Sequence, residues 1–551
     1  MIFALLSAVA IAAFQKPGDA DYPQPTPSDR HNQKVAAVKA HNYDLLMIGD
    51  SITQTMGEMG GEWDPLKAVW DTHFAPRNAI NLGYSGYRTE NILWHMQNGE
   101  LDMAKSPKVA VLLIGTNNTD DTNYKTVNTP EKIFAGTKAI VDTIRAKHPT
   151  TKVLILRIFP RGGAKEVTTF HRRYTNSAQC VKSCDEAGLM TQKLADGKHV
   201  FWLDVTKVFF RKDGTMDTDM IPDLVHPGLA GTEAWASALE PTLAKLMGDK
   251  VIKSPQKIAL EKAPEPVREL SGKRVMILGD SITQDGRYVS FMEYLLAKQY
   301  PLLDFNFFSV GLSSETTAGL TEKGHPFPRP DIHERLGRAL DLVRPEVVMA
   351  CYGMNDGIYQ PLDPARFTAF QNGITSMVEQ CKKAGAKVIL VTPPSFDIKQ
   401  YDKASGMYEK YSDVLGAYAD WEMKTKPGGS QAVNIFRPMT LRINSTTPLG
   451  YDLYNKGDGI HPNTLGHLLM AESILLGLKV PSKFGYLPDD LADIEGDPLY
   501  KAIAERRDAR SNGWLSYIGY TRGEKVKTDS IIPIEDKAFE QQTAINRVRR
   551  P

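Results

Sequence analysis

The sequence predicts an α/β protein of two domains in tandem, each a parallel sheet with helices on both faces. Three observations carry this. The string Gly-Asp-Ser-Ile-Thr-Gln occurs at residues 49–54 and again at 279–284. Each copy closes a short apolar run, Leu45-Leu46-Met47-Ile48 or Val275-Met276-Ile277-Leu278, and leads into helix-like sequence. Short apolar runs that end at a turn read as buried strands, and strands alternating with helical patterns imply a parallel, doubly covered sheet.

Length and composition agree. At 551 residues the chain is too long for one hydrophobic core. Hydrophobic content of 42% with 24% charged residues is ordinary for a globular protein. Sixty-six basic against 65 acidic side chains leave a formal charge of +1, which gives no general attraction to nucleic acid or anionic membrane.

Residues 1–14 are almost wholly apolar and give way to Gln15, Lys16 and Pro17. With the small residues Ala10-Ile11-Ala12 they read as the h-region of a signal, although the basic n-region is missing. The expectation is an exported protein, periplasmic or secreted. The run is shorter than the ~20 residues of a membrane span, and no comparable segment follows, so none is expected in the mature protein. The first domain is placed at 30–248 and the second at 273–480. Between them, 249–272 is rich in Lys, Glu and Pro and reads as a linker. Residues 481–551 form an extension with a helical stretch near 499–510, expected to pack on one of the domains, and its basic end, 547–550, reads as a solvated tail. Cys180, Cys184, Cys351 and Cys381 read as structural thiols, with a disulfide between the first two held open for an exported protein.

The repeat continues in register. The apolar run 109–114 leads into Gly115-Thr116-Asn117-Asn118, and 347–352 leads into Gly353-Met354-Asn355-Asp356. Strands follow at 153–159 and 388–392, each before proline, with helical patterns at 130–147 and 364–384. Near the end of each half stands Asp-x-x-His-Pro, at 223–227 and 458–462. Serine and histidine are 175 residues apart in the first half and 180 in the second, as expected of a duplicated domain.

These residue types suit nucleophilic catalysis. A serine hydroxyl needs a base, and the base needs a carboxylate to fix its tautomer; Asp-x-x-His supplies both. Backbone amides at Ser51 and at a glycine of the second loop, with the Asn117 amide, are candidate donors to an oxyanion. In an open parallel sheet all these loops lie at the carboxyl ends of strands. Read alone, each piece has an ordinary structural role: a turn, a loop-capping asparagine, a helix cap with a surface histidine. Gly-x-Ser-x-Gly surrounds neither serine, which argues against the fold that uses that elbow. No metal-ligand cluster and no phosphate-cradling loop is read from the sequence, so no metal and no cofactor is expected. Trp63, Trp70 and Trp94 are read as core before pocket, and His325 and Arg329, in the Pro-rich insertion 324–330, as a solvated loop.

Gly-Asp-Ser, a glycine in the second loop, Gly-x-Asn in the third and a terminal Asp-x-x-His resemble the four blocks of the SGNH, or GDSL, hydrolase superfamily. Both halves match, over about 44–247 and 273–478. The resemblance implies flavodoxin-like three-layer α/β/α domains that hydrolyse acyl esters without a metal. It makes Ser51, Asp223 and His226 the first catalytic set, with Gly86 and Asn117 as oxyanion donors, and Ser281, Asp458 and His461 the second, with Ser314 and Asn355. At Ser314 the family has glycine; a serine still offers its backbone N–H but lacks glycine's conformational freedom. Asn81-Leu82-Gly83, Leu93-Trp94, residues 97–101, residues 115–118 and Pro160-Arg161-Gly162 make the first half resemble, more narrowly, the catalytic subunits of platelet-activating-factor acetylhydrolase. The second half resembles bacterial GDSL esterases of plant-type polysaccharides more loosely. The expected function is a serine esterase that releases short acyl groups, acetyl foremost, from carbohydrate through an acyl-enzyme. The alternatives are a lipid esterase or thioesterase, or one half kept as a non-catalytic glycan-binding module.

Overall fold

The computed structural model describes residues 18–163, 174, 176–402, 406–445, 452–481 and 487–549. The segment read as a signal lies outside them. The chain divides into two compact units, Met1–Ser254 and Pro255–Pro551.

The first unit is built on five parallel strands, β1 (Leu45–Gly49), β2 (Ala79–Gly83), β3 (Val109–Leu113), β4 (Lys152–Leu156) and β5 (Val200–Leu203), in the order β2-β1-β3-β4-β5. Strand side chains alternate between two cores. Leu45 and Met47 join Phe74 and Trp235 on one face, while Leu46 and Ile48 join Ile92 and Ile140 on the other. Buried on both faces, the strands have no need of polar positions, which is why they read as continuous apolar runs. The helices are α1 (Asp29–Ala40), α2 (Ser51–Gln54), α3 (Lys67–His73), α4 (Thr89–Gln97), α5 (Pro130–Lys147), α6 (Ala178–Met190) and α7 (Leu229–Met247). Those of them that supply the second core, α4 and α5, and those that supply the first, α3 and α7, cover opposite faces.

The second unit repeats this with β6 (Arg274–Gly279), β7 (Asn306–Ser309), β8 (Val347–Cys351), β9 (Lys387–Val391) and β10 (Gln431–Val433), paired in the order β10-β9-β8-β6-β7. Read from the other edge this is the same topology. In each sheet the chain reverses direction between the first strand and the third, and the crevice there is where doubly wound sheets bind ligands.

One sequence reading changes and one open alternative closes. Residues 249–272 are more than a linker: they include helices Pro255–Lys262 and Glu265–Leu270, the second anchored by buried Val267 and Leu270. Their charged sequence hides the pattern because few of their side chains face a core. All four cysteines are free and buried, so Cys180 and Cys184 form no bridge. No helix among the described residues is long and apolar enough to cross a membrane.

The extension packs within the second unit. Helices Pro498–Ile518 and Ile532–Arg549 lie against each other, and the first lies against edge strand β7. Trp514 is fully buried, meets Phe308 of β7 edge to face at 5.7 Å, and donates its indole N–H to Glu535. Arg510 pairs with the same carboxylate, and Arg549 is buried against Asp304, so of the basic end Arg549 is docked while Arg547 stays exposed. Truncating a buried tryptophan typically costs about 3–5 kcal/mol. Trp514→Ala should therefore lower the thermal midpoint of the full chain followed by far-UV circular dichroism; an unchanged midpoint would mean that the extension contributes nothing to the unit's stability.

Candidate active site

Each candidate nucleophile begins a short helix immediately after the first strand of its unit. Asp50 caps α2 by accepting the Ile52 N–H at 3.0 Å, and Asp280 caps its helix in the same way through Ile282. Burial pushes these carboxyls up, Asp50 to about 6 and Asp280 to about 7. The preceding strands end in glycine for a steric reason. A Cβ on Gly49 would collide with the Thr53 hydroxyl, and one on Gly83 with the backbone of Gln54. Gly279 and Gly311 stand in the same relation to Thr283 and Gln284.

The structure brings each serine to its histidine and aspartate. Ser51 Oγ lies 2.8 Å from His226 Nε2, and His226 Nδ1 lies 2.7 Å from Asp223 Oδ2. The other Asp223 oxygen accepts the backbone N–H groups of Val225 and His226. In the second unit the same contacts are 2.8 Å for Ser281 to His461 and 2.6 Å for His461 to Asp458, with Ile460 and His461 amides on the remaining oxygen. Burial draws the His226 pKa down, but the charge and hydrogen bond of Asp223 outweigh it and carry it above 6.5. His461 is raised too, burial again opposing and Asp458 prevailing. The sites differ in exposure: the His226 side chain is 9% exposed and that of His461 40%. The Asp-x-x-His turn passes through a left-handed residue, Leu224 (φ 69°) in one unit and Gly459 (φ 67°) in the other.

The remaining blocks are tied to the serine helix by hydrogen bonds. The Gln54 side chain accepts the Ser85 N–H, and Gln284 accepts that of Ser313, each at 2.7 Å. This fixes the loops that carry Gly86 (φ 76°) and Ser314 (φ 68°). Ser314 therefore occupies the expected glycine position with the same left-handed backbone. Asn117 donates to the Tyr87 carbonyl at 2.9 Å and Asn355 to that of Glu315 at 3.1 Å, which leaves each amide a second N–H to offer. A hydroxyl bonded to a carboxylate-backed imidazole, beside spare amide donors, can attack a carbonyl carbon and hold the resulting oxyanion.

Several supports were missed in the sequence. Asn118 and Asp356 anchor the third loop to Thr89 and Thr317, and the threonine three residues after Gly86 and after Ser314 was the available signal. Tyr359 donates to Asn355 Oδ1 at 2.8 Å, and its ring carries the Arg329 guanidinium at 5.5 Å. Arg329 is buried and paired with Glu322, which corrects its reading as part of a solvated loop. Arg161 is buried on Thr116, Asp120 and Asn176. Trp63 is core and also flanks the site, its ring 5.4 Å from that of His226; Tyr174 lies at 5.5 Å from the same imidazole. Trp94 sits 5.0 Å from His31, and Trp70 beside Phe74.

Fold and site together define a carboxylic ester hydrolase, present in two copies. The chain belongs to the GDSL-like lipase/acylhydrolase family, whose profile matches residues 47–234 and again 277–469. Its first half is similar to the human platelet-activating factor acetylhydrolase IB subunit alpha1, 29% identical over 217 residues, which are 39% of this chain and 82% of that protein. The alpha2 subunit of Rattus norvegicus is 31% identical over 197 residues, 36% of this chain and 74% of that one. Among solved structures, an acetylxylan esterase from Geobacillus stearothermophilus aligns with 21% identity over 39% of this chain and 96% of its own, at a TM-score of 0.30.

A left-handed residue with a side chain is strained by roughly 1–2 kcal/mol, and glycine is not. Ser314→Gly should raise the thermal midpoint and leave hydrolysis by the second site, measured in a Ser51→Ala background, at least at its original rate. A lower midpoint would show that the serine side chain has its own stabilising role.

Proposed function

We propose that the chain is a two-site serine esterase that removes short acyl groups, acetyl foremost, from carbohydrate outside the cytoplasm. The observation that carries the esterase mechanism is the doubled hydrogen-bond chain from serine through histidine to aspartate. In this reading His226 takes the Ser51 proton as the hydroxyl attacks the ester carbonyl, and Asp223 stabilises the imidazolium. Gly86 N–H and the free Asn117 N–H receive the oxyanion, and His226 then protonates the departing alcohol. Water repeats the sequence to release the acid. Ser281, His461, Asp458, Ser314 and Asn355 take the same parts in the second unit.

The short-acyl preference draws support from the acetylhydrolase subunits to which the first half is similar and from the Trp63 and Tyr174 rings flanking His226. The carbohydrate part draws on the signal-like apolar residues 1–14, since polymeric glycans are met outside the cell, and on the same rings, which suit stacking on sugar.

Acetate release from a panel of acetylated glycans, with acetyl and octanoyl esters alongside, tests this. Ser51→Ala and Ser281→Ala should each keep part of the activity, and the double variant should fall to background. Faster turnover of octanoyl esters would favour a lipid esterase, and equal activity of Ser51→Ala and the double variant would leave the second unit a binding module.

The histidine must be neutral to act as base, so activity exists above its pKa and is lost as pH falls through it. Asp223 raises that pKa. In a Ser281→Ala background, Asp223→Asn should move the acid limb of kcat/KM to lower pH and reduce kcat by about 10⁴. An unmoved limb would remove Asp223 from its role.

A further inference from the structure

Away from Ser51, the first unit gathers two imidazoles and a carboxylate at one buried point. His31 comes from α1, His95 from α4, and Glu100 lies just beyond α4; all three are buried. His31 Nδ1 and His95 Nδ1 are 2.9 Å apart, and Glu100 Oε1 is 2.8 Å from the first and 2.7 Å from the second. The Tyr84 hydroxyl donates to that same oxygen.

With neutral imidazoles this arrangement is one proton short, and an imidazolium at His95 would supply it by donating from both ring nitrogens. His95 Nε2 lies 3.1 Å from the Thr26 carbonyl, which only accepts, so Nε2 carries the hydrogen and a neutral His95 presents a bare lone pair at Nδ1. That lone pair faces a carboxylate oxygen. An ordinary double ion pair would spread two imidazoles over both oxygens. Here both imidazoles and a phenol crowd Oε1, while Glu100 Oε2 is buried without a hydrogen-bond partner. Three ligand atoms ~2.1 Å from one shared ion stand ~3.0 Å apart at right angles and ~3.4 Å apart in zinc's tetrahedral arrangement, so the three atoms here, 2.7–2.9 Å apart, would open by about half an ångström around zinc. Two nitrogens and a carboxylate are ligands for a first-row divalent ion, and the spare oxygen is a further ligand atom.

We infer that His31, His95 and Glu100 form a site for a divalent transition-metal ion, zinc by ligand type, separate from both serine centres. The ion would join α1 and α4 to the loop after β2. That loop runs from Tyr84 to Tyr87, whose rings stack at 5.0 Å with the His95 ring against both, and the Tyr87 carbonyl holds Asn117. The site is therefore structural in kind and steadies the loop that bears Gly86.

The test is metal content and cobalt spectroscopy on the full, tag-free chain. Protein made with zinc in the medium and exhaustively dialysed should retain about one zinc per chain. Chelator-stripped protein titrated with cobalt(II) alone should develop visible d–d bands and a higher thermal midpoint. Glu100→Gln and His31→Gln should each lose the retained zinc and the bands, whereas His226→Gln should keep both, which excludes the serine site as the binder. His31→Gln replaces a residue at the rim of the cluster and serves if Glu100→Gln does not fold. Wild-type protein that retains no zinc and gives no cobalt bands overturns the inference, as does binding that survives in both cluster variants.

Discussion

In each unit the position of the serine depends on one steric constraint, the close approach of the first helical turn to the ends of two strands. Gly49 and Gly83, and likewise Gly279 and Gly311, leave room that any side chain would fill. With that room the helix drops onto the sheet, its aspartate cap turns inward, and the serine emerges at the mouth of the crevice between the first and third strands. The glutamine at the end of the same turn then reaches the second loop. A single packed contact so fixes the nucleophile and the loop expected to hold the oxyanion, and the histidine turn needs only to arrive from the far end of the domain.

Much of this was legible in the sequence because it is written locally. Strands buried on both faces read as apolar runs, and the six-residue repeat marked both serine turns. The supports were harder to read because loop folding, and not a sequence pattern, brings the partners together. Nothing near Asn355 announces that Tyr359 holds its carbonyl oxygen, and nothing near Arg329 announces Glu322 and the Tyr359 ring; the insertion was taken as solvated from its proline content. His31, His95 and Glu100 escaped because 64 residues separate the two histidines. Leu224 shows a different limit: an apolar residue in a left-handed turn has no local signature, and only the glycine at the matching position, Gly459, hinted at the backbone it shares.

The two sites share their reacting atoms and differ in what holds them. In the first unit the loop after the second strand is backed by aromatic rings, and its triad is nearly closed to solvent. In the second, Glu315 follows Ser314 directly and is locked by Arg335 and the Tyr352 hydroxyl, while the histidine and aspartate are partly exposed. A duplicated domain has thus kept the geometry of the proton-transfer chain and replaced the scaffold behind it.

The docking of the C-terminal helices on β7 has a consequence for how the chain is made. The contacts of the first unit are complete once residue 254 has been synthesised, so that unit can fold while the rest is still being added. The second unit has no such head start. Phe308 waits for Trp514, Glu293 for Arg506, and Asp304 for Arg549, each more than 200 residues later in the chain. Its sheet edge stays uncovered through most of its own translation, and a nascent chain stalled before helix Pro498–Ile518 is complete would expose strand β7 to any neighbouring polypeptide on the same message.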